Sequence, residues 1–208
     1  MNTLGVCEIF YSLQGESTYQ GMPCVFIRLS GCNLRCSWCD TKYSHAPGEW
    51  LSFDEILQAI SLYPCKLVEL TGGEPIWQEA SIPLMDRLVE LGYTVLLETN
   101  GSLDICEVPD QVIKIVDVKC PGSGCGDSFM KYNLRSLNAH DELKFVLTNY
   151  PDYEFAKAFL EIHKPQVNAI HFSPVSTLLA PETLAEWLLE DGLSVKLSLQ
   201  LHKMLNLR

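Results

Sequence analysis

The chain has 208 residues, 47% of them hydrophobic and 20% charged, which is enough apolar material for one sizeable core and a single domain over residues 1–208. Its 26 acidic residues against 15 basic ones give a formal net charge of −11; with no basic run, this argues against a surface that neutralises nucleic-acid phosphates. No apolar run is long enough to cross a bilayer, and the first residues lack a basic segment followed by an apolar stretch and a small-residue cleavage site, so the expectation is a cytosolic protein with neither nucleic-acid nor membrane partner.

In chain order, short runs rich in Val, Ile and Leu predict strands at Val25–Ser30, Leu67–Thr71, Thr94–Thr99, Val112–Val118, Glu142–Leu147 and Ala169–Ser173. Such runs suit parallel strands buried on both faces. Helices are predicted between them. Phe53–Leu62 follows Ser52, a suitable N-cap with Glu55 three residues on; Ile82–Leu91 stops before Gly92; Tyr153–His163 follows Pro151; and Pro181 opens a helix running to Asp191. The alternation predicts an α/β fold with right-handed crossovers and about six parallel strands, too few for a closed eightfold barrel. The third and fourth connections are too short for full helices.

Four motifs then fall at the carboxyl ends of predicted strands, the edge where parallel sheets gather ligands. Cys32, Cys36 and Cys39 follow the first strand, Gly72-Gly73-Glu74-Pro75 the second, Glu98-Thr99-Asn100-Gly101 the third and Asp117-Val118-Lys119-Cys120-Pro121 the fourth. The three cysteines aim thiolates at one place with no obvious fourth. A cubane iron-sulfur cluster normally takes four cysteines, so this nest leaves one iron open to a ligand that is not protein. A Cys3His zinc knuckle completed by His45 is the competing reading. Nine cysteines are an odd count for a disulfide framework and fit a reducing compartment. Of the six outside the triplet (Cys7, Cys24, Cys65, Cys106, Cys120 and Cys125), most are expected to be buried as small apolar residues. Cys120 and Cys125 are too few for an auxiliary cluster. Taken alone, Gly72-Gly73 is a turn and Glu74-Pro75 a helix start.

The triplet together with Gly72-Gly73-Glu74-Pro75 resembles the signature of the radical S-adenosylmethionine enzymes, whose partial, splayed TIM-like barrel is the fold this implies. The N-terminal Phe10-Tyr11-Ser12-Leu13-Gln14-Gly15-Glu16-Ser17, then Gly21, Pro23, Phe26-Ile27-Arg28-Leu29 and Asp40-Thr41, narrows the resemblance to the family of 7-carboxy-7-deazaguanine synthases of the queuosine pathway. It continues through Phe172-Ser173-Pro174 and Gln200-Leu201-His202-Lys203 and covers essentially the whole chain. Two departures are visible: Ser17 where many relatives have Gly, and Gly122 where Ser is common.

The resemblance implies a 4Fe-4S cluster on Cys32, Cys36 and Cys39, and magnesium at Thr41. Contacts to S-adenosylmethionine are implied for Trp38, Cys39, Asp40, Gly72, Gly73, Glu74, Lys119, Cys120, Pro121, Ser173 and Pro174. Leu13, Gln14, Gly15, Arg28, Thr71 and the terminal Arg208 would hold a small-molecule pterin, with Gln14 offering both donor and acceptor and Arg28 gripping a carboxylate. Alone, Arg28 reads as a strand arginine bridging to a neighbour, Thr41 as a turn cap and Trp38 as a shield. The implied chemistry is hydrogen abstraction by a deoxyadenosyl radical, contraction of the pterin ring, return of hydrogen and loss of ammonia. A homodimer and a reductase or flavodoxin-type electron donor are implied as partners. Two other functions stay open: an activase that makes a glycyl radical on a partner protein, and a non-catalytic cluster or zinc module.

Overall fold

The apolar runs pair into one nine-stranded sheet in the computed structural model, which describes residues 2–207. The strands are β1 (Thr3–Leu13), β2 (Pro23–Leu29), β3 (Glu49–Ser52), β4 (Leu67–Gly72), β5 (Thr94–Thr99), β6 (Ile113–Asp117), β7 (Glu142–Leu147), β8 (Ala169–Pro174) and β9 (Lys196–Leu197). Their spatial order is β3-β1-β2-β4-β5-β6-β7-β8-β9. Every pair from β2 to β9 is parallel, whereas β1 lies antiparallel to both β2 and β3. The sheet does not close, and the fold is the partial barrel expected.

All six predicted strands form close to their predicted limits. Strands β1, β3 and β9 are additions, because the sequence reading assigned no strand before Val25, between Ser30 and Leu67, or after Ser173. A register shift between Val6 and Glu8 breaks the period-two alternation of β1, and that period is the signal by which a half-buried strand is read.

Helices α1 (Phe53–Ser61), α2 (Ser81–Glu90), α3 (Tyr150–His163) and α4 (Pro181–Asp191) pack outside the sheet, and a short α5 (Leu201–Met204) follows β9. The predicted capping box on α1 is present: Glu55 N–H donates to Ser52 Oγ at 3.3 Å and Ser52 N–H to Glu55 Oε2 at 2.7 Å. Helix α3 begins three residues before its predicted start, since Asn149 caps it by accepting from Asp152 N–H at 3.0 Å and Pro151 fits in its first turn. The connections β5–β6 and β6–β7 carry no α-helix, as their length implied; the second has only the 3-10 turns Pro121–Ser123 and Lys131–Ser136.

Strand alternation sorts side chains into two cores. Ile27, Leu29, Val68, Leu70, Val95 and Leu97 face outward against Ile56, Ile60, Leu84, Leu88, Phe159 and Leu184, and each such buried side chain contributes about 1.5–3 kcal/mol. Phe10, Cys24, Phe26, Leu67, Leu96, Ile113 and Ile115 face inward and plug the lower lumen. Above that plug the inward positions turn polar.

Candidate active site

A cavity of about 430 Å³ opens at the carboxyl ends of the parallel strands. One half is built by the loop that leaves β2. Gly31, at φ 83°, turns the chain away from the sheet, and its N–H donates to Ser44 O at 2.7 Å, closing the loop on itself. The second loop, after β4, packs against the first so closely that a Cβ on Gly73 would sit 1.9 Å from Gly31 O. The glycine pair is therefore required by the meeting of two loops, whatever it also contacts.

Cys32, Cys36 and Cys39 are unpaired, half-buried and all line the cavity. Among the described residues no three His, Cys, Asp or Glu side chains converge on a position for a single ion. His45, the fourth donor of the Cys3His alternative, lines the same cavity. Ligands to separate corners of a cluster need not converge on one point. Burial pushes the Cys36 thiol up to about 12, with Cys125 beside it and Lys119 opposing, and burial also raises Cys32. Ionisation of these thiols is therefore coupled to metal loading. The donor set fits a cluster with one open iron.

Beside it, Lys119 Nζ lies 4.8 Å from the Trp38 ring centroid and 2.8 Å from Asp117 Oδ2. Trp38 Nε1 and Asp117 Oδ1 are buried with no hydrogen-bond partner among the described residues. A donor and an acceptor left open on one wall suit a polar cofactor such as S-adenosylmethionine. Asp40 accepts from Lys203 at 2.6 Å, which ties the cysteine loop to α5. Thr41 Oγ1 lies 3.7 Å from Cys39 Sγ. Asp40, Thr41, Gly72, Gly73, Lys119, Ser173 and Pro174 all line the cavity.

Three positions assigned to cofactor stand outside the lining. Glu74 is fully buried behind the wall, accepting from Thr99 Oγ1 (2.7 Å), Asn100 N–H (2.7 Å) and Ile76 N–H (3.1 Å). It caps a 3-10 turn, the helix-start reading of this residue, and fixes the loop that carries Asn100. Cys120 is fully buried beneath the sheet edge, and Pro121 is exposed. Of the other cysteines outside the triplet only Cys24 is also buried, and Cys106 is exposed; solvent-side loops hold more of them than the sequence reading allowed.

The other half of the cavity is polar and charged. Leu13, Gln14, Gly15, Arg28 and Thr71 line it as assigned, while Arg208 lies outside the described residues. Arg28 donates from Nε to Glu8 Oε1 at 2.8 Å, and Tyr43 OH donates to the same oxygen at 2.8 Å. The bridging reading of Arg28 is thus present, and it leaves the terminal nitrogens of the planar fork for an anion. Lys144 pairs with Glu16 Oε2 at 2.7 Å and with Glu98. Gln200 Nε2 donates to Glu16 Oε1 at 2.7 Å, and Leu201 N–H to Gly15 O at 2.9 Å, so the C-terminal segment rests on the Gln14-Gly15-Glu16 turn. His202 packs on Gly15, where a Cβ would lie 1.9 Å from Nδ1. Burial holds His202 below the usual imidazole range.

Glu16, Glu69, Glu98, Asp117, Lys144 and His202 line the cavity without having been assigned to it. For four of them the signal was legible: a charged residue inside an apolar strand run, as in Val68-Glu69-Leu70, Leu97-Glu98, Val116-Asp117 and Leu143-Lys144-Phe145, must point into a polar lumen or be paired.

The radical SAM superfamily pattern matches residues 26–121, which span the cysteine loop and the glycine pair. A protein of Koribacter versatilis named 7-carboxy-7-deazaguanine synthase is 49% identical, covering 95% of this chain and 95% of that one. A protein of the same name from Chlorobaculum tepidum is 41% identical over 96% of this chain and 93% of its own length. The crystal structure of QueE from Escherichia coli superposes with a TM-score of 0.79 at 27% identity, over 96% of this chain and 95% of that chain.

Proposed function

Since this chain belongs to the 7-carboxy-7-deazaguanine synthase family of radical S-adenosylmethionine enzymes, we propose that it contracts the ring of 6-carboxy-5,6,7,8-tetrahydropterin to 7-carboxy-7-deazaguanine with release of ammonia. The observation that carries this reading is a single cavity lined at once by a three-cysteine nest and by the Gln14, Arg28 and Lys144 side chains. When bound, a 4Fe-4S cluster on Cys32, Cys36 and Cys39, together with S-adenosylmethionine, supplies the one-electron chemistry that removes a substrate hydrogen.

The protein's share is binding, orientation and exclusion. Arg28, braced by Glu8 and Tyr43, grips the substrate carboxylate through its free terminal nitrogens. Gln14 and Gly15 meet the pterin edge, with Leu13 and Thr71 beside them, and Arg208 is assigned to the same substrate. Trp38, Cys39, Asp40, Gly72, Gly73, Lys119, Ser173 and Pro174 border the cofactor; Glu74, Cys120 and Pro121 act on it through the loops they hold. Thr41 would hold magnesium beside the substrate carboxylate, where the ion would supply charge neutralisation. Arg28, by holding the carboxylate, lowers the barrier to rearrangement by positioning and by stabilising charge as it shifts. The chain works as one domain, as a homodimer in the cytosol, with a reductase or flavodoxin-type donor. An activase of a partner protein has no use for Gln14 or Arg28 and is not favoured.

The test is anaerobic turnover of reconstituted protein with reductant, S-adenosylmethionine and 6-carboxytetrahydropterin. The expected result is 7-carboxy-7-deazaguanine by mass with equimolar ammonia, increased by magnesium. Formation of 5′-deoxyadenosine without a deazaguanine product would refute the substrate assignment.

A further inference from the structure

Three carboxyl groups, Glu16, Glu69 and Glu98, line the cavity around Lys144, which is buried. Glu16 gives one oxygen to Lys144 and the other to Gln200 Nε2. Glu98 gives one to Lys144, and the other accepts from Thr71 Oγ1 at 3.3 Å. The protein therefore uses both oxygens of each. Glu69 differs: it is only 3% exposed, and its Oε2 accepts from Gln14 Nε2. Among the described residues its Oε1 has no hydrogen-bond partner, and no cation lies within ion-pair distance of the carboxyl.

A carboxylate buried without a cation or backbone N–H is costly, so this environment holds the group neutral. Burial, then Glu98 and Glu16, raise its proton affinity well above the ordinary carboxyl range, against Lys144 and Gln14. With Oε2 acting as the carbonyl toward Gln14, the hydroxyl on Oε1 is left to the cavity. The sheet register places this hydroxyl in one row with apolar neighbours: Phe26 is opposite Glu69 on one side, Leu96 on the other, and Phe10 lies beyond Phe26. Phe10 and Phe26 stack with centroids 4.9 Å apart. A flat heterocycle entering this row meets aromatic surface and one polar group. Gln14 Oε1 accepts from Glu16 N–H at 3.0 Å while its Nε2 faces Glu69, so the same carboxyl also sets which end of the amide points where.

We propose that Glu69 is a specificity-determining residue of the substrate half of the cavity, donating from Oε1 to a ring acceptor of a fused pyrimidinone, either its lactam oxygen or an unprotonated ring nitrogen, beside the Gln14 amide that it orients. This deepens the synthase reading and rests on it. A site that offers one buried hydroxyl rejects a ring lacking the acceptor, because the hydroxyl is then left unpaired.

The test measures binding of 6-carboxypterin, a non-reactive oxidised congener, by pterin fluorescence, with cluster-loaded and cluster-free protein from pH 6 to 10. Glu69→Gln keeps a donor at that position and the acceptor toward Gln14; Glu69→Leu removes both. At neutral pH we expect Glu69→Gln within about threefold of the wild type and Glu69→Leu weaker by about tenfold or more. Ionisation removes the donated hydrogen, so the wild-type affinity profile should fall below that of Glu69→Gln where Glu69 ionises, the lactam ionisation of the pterin being common to both. The titratable groups facing Glu69 are Glu98 from β5, Lys144 from β7, Cys24 from β2 and Glu16 after β1, and the Gln variant leaves all four in place. Glu69→Leu binding like the wild type, or Glu69→Gln retaining the wild-type pH slope, overturns the inference. Should Glu69→Leu not fold, the Glu69→Gln slope decides alone. Failure of the wild type itself to bind 6-carboxypterin instead overturns the synthase reading, and the inference with it.

Discussion

Glu74 shows how one side chain can serve the site without facing it. Three donors end on its carboxyl, and two of them, the N–H groups of Ile76 and Asn100, belong to loops at the cavity wall. Asn100 in turn reaches the cysteine loop, donating to Asn33 Oδ1 at 3.2 Å. Glu74→Ala leaves these donors unpaired in a dry place, at about 1–3 kcal/mol each. The expected outcome is an unfolding free energy, from urea titration, lowered by about 3 kcal/mol or more, with reduced iron content after reconstitution. The two departures from the family pattern also have physical readings. Ser17 sits at φ 62°, where glycine is the unstrained choice, and its Oγ offsets part of that strain by accepting from Tyr19 N–H at 3.1 Å. Gly122 is hemmed in: a Cβ there would lie 2.2 Å from Thr148 Oγ1 and 2.5 Å from Asp152 Oδ2. Gly122→Ser should therefore destabilise this chain by about 1–3 kcal/mol, read as a melting temperature lower by about 2–4 °C for each kcal/mol.

At the scale of elements, the inward faces of β5 and β7 meet above the apolar plug through the Glu98–Lys144 ion pair, which Glu16 extends. Burial alone would raise Glu16, yet Lys144, with Gln200 and His202, holds it down to about 2. A carboxyl whose folded value lies below its unfolded value stabilises the fold above about pH 4.3, and that stability is lost as pH falls from there toward 2. Lys144→Met removes the cation that Glu16 and Glu98 share, which costs about 3 kcal/mol at neutral pH. In that variant Glu16 takes up a proton more readily, so its deficit should shrink as pH drops from 8 to 5. Urea midpoints across that range check the sign; a deficit independent of pH would show that Lys144 acts by packing alone. This network was only partly legible in sequence. Strand runs and caps were readable because Val, Ile, Leu, Ser52 and Gly92 announce them locally, and the cysteine nest because its spacing is short. Which carboxylate meets which lysine depends on the pairing of β5 with β6 and of β6 with β7, and register between separate strands leaves no local mark.

For the molecule as a whole, the parallel barrel was legible and its N-terminal extension was not, since β1 and β3 join the sheet by antiparallel pairing that the βα alternation does not imply. That division has a consequence for the metal. Both hydrophobic cores are built from strands and helices, and all three cluster cysteines sit on one loop beyond the sheet. The loop has protein anchors of its own: Gly31 N–H to Ser44 O, Ser37 N–H to Ser123 O at 2.9 Å, Ser37 Oγ to Gly122 O at 3.0 Å, and the Asp40–Lys203 pair. In a small zinc module the ligands hold the core together and removal of metal unfolds the chain; here the core would lose nothing that packs within it. Anaerobic chelation of iron should therefore leave far-UV circular dichroism and a single cooperative urea transition in place. Faster amide exchange should be confined to residues 32–41 and to the loop around Asn100. Protection in β4, β5 and β7 should stay at its loaded level, because their ladders and the Lys144 pairs do not pass through the cysteine loop. Loss of the cooperative transition on chelation would mean that the cluster, and not the barrel, organises the fold.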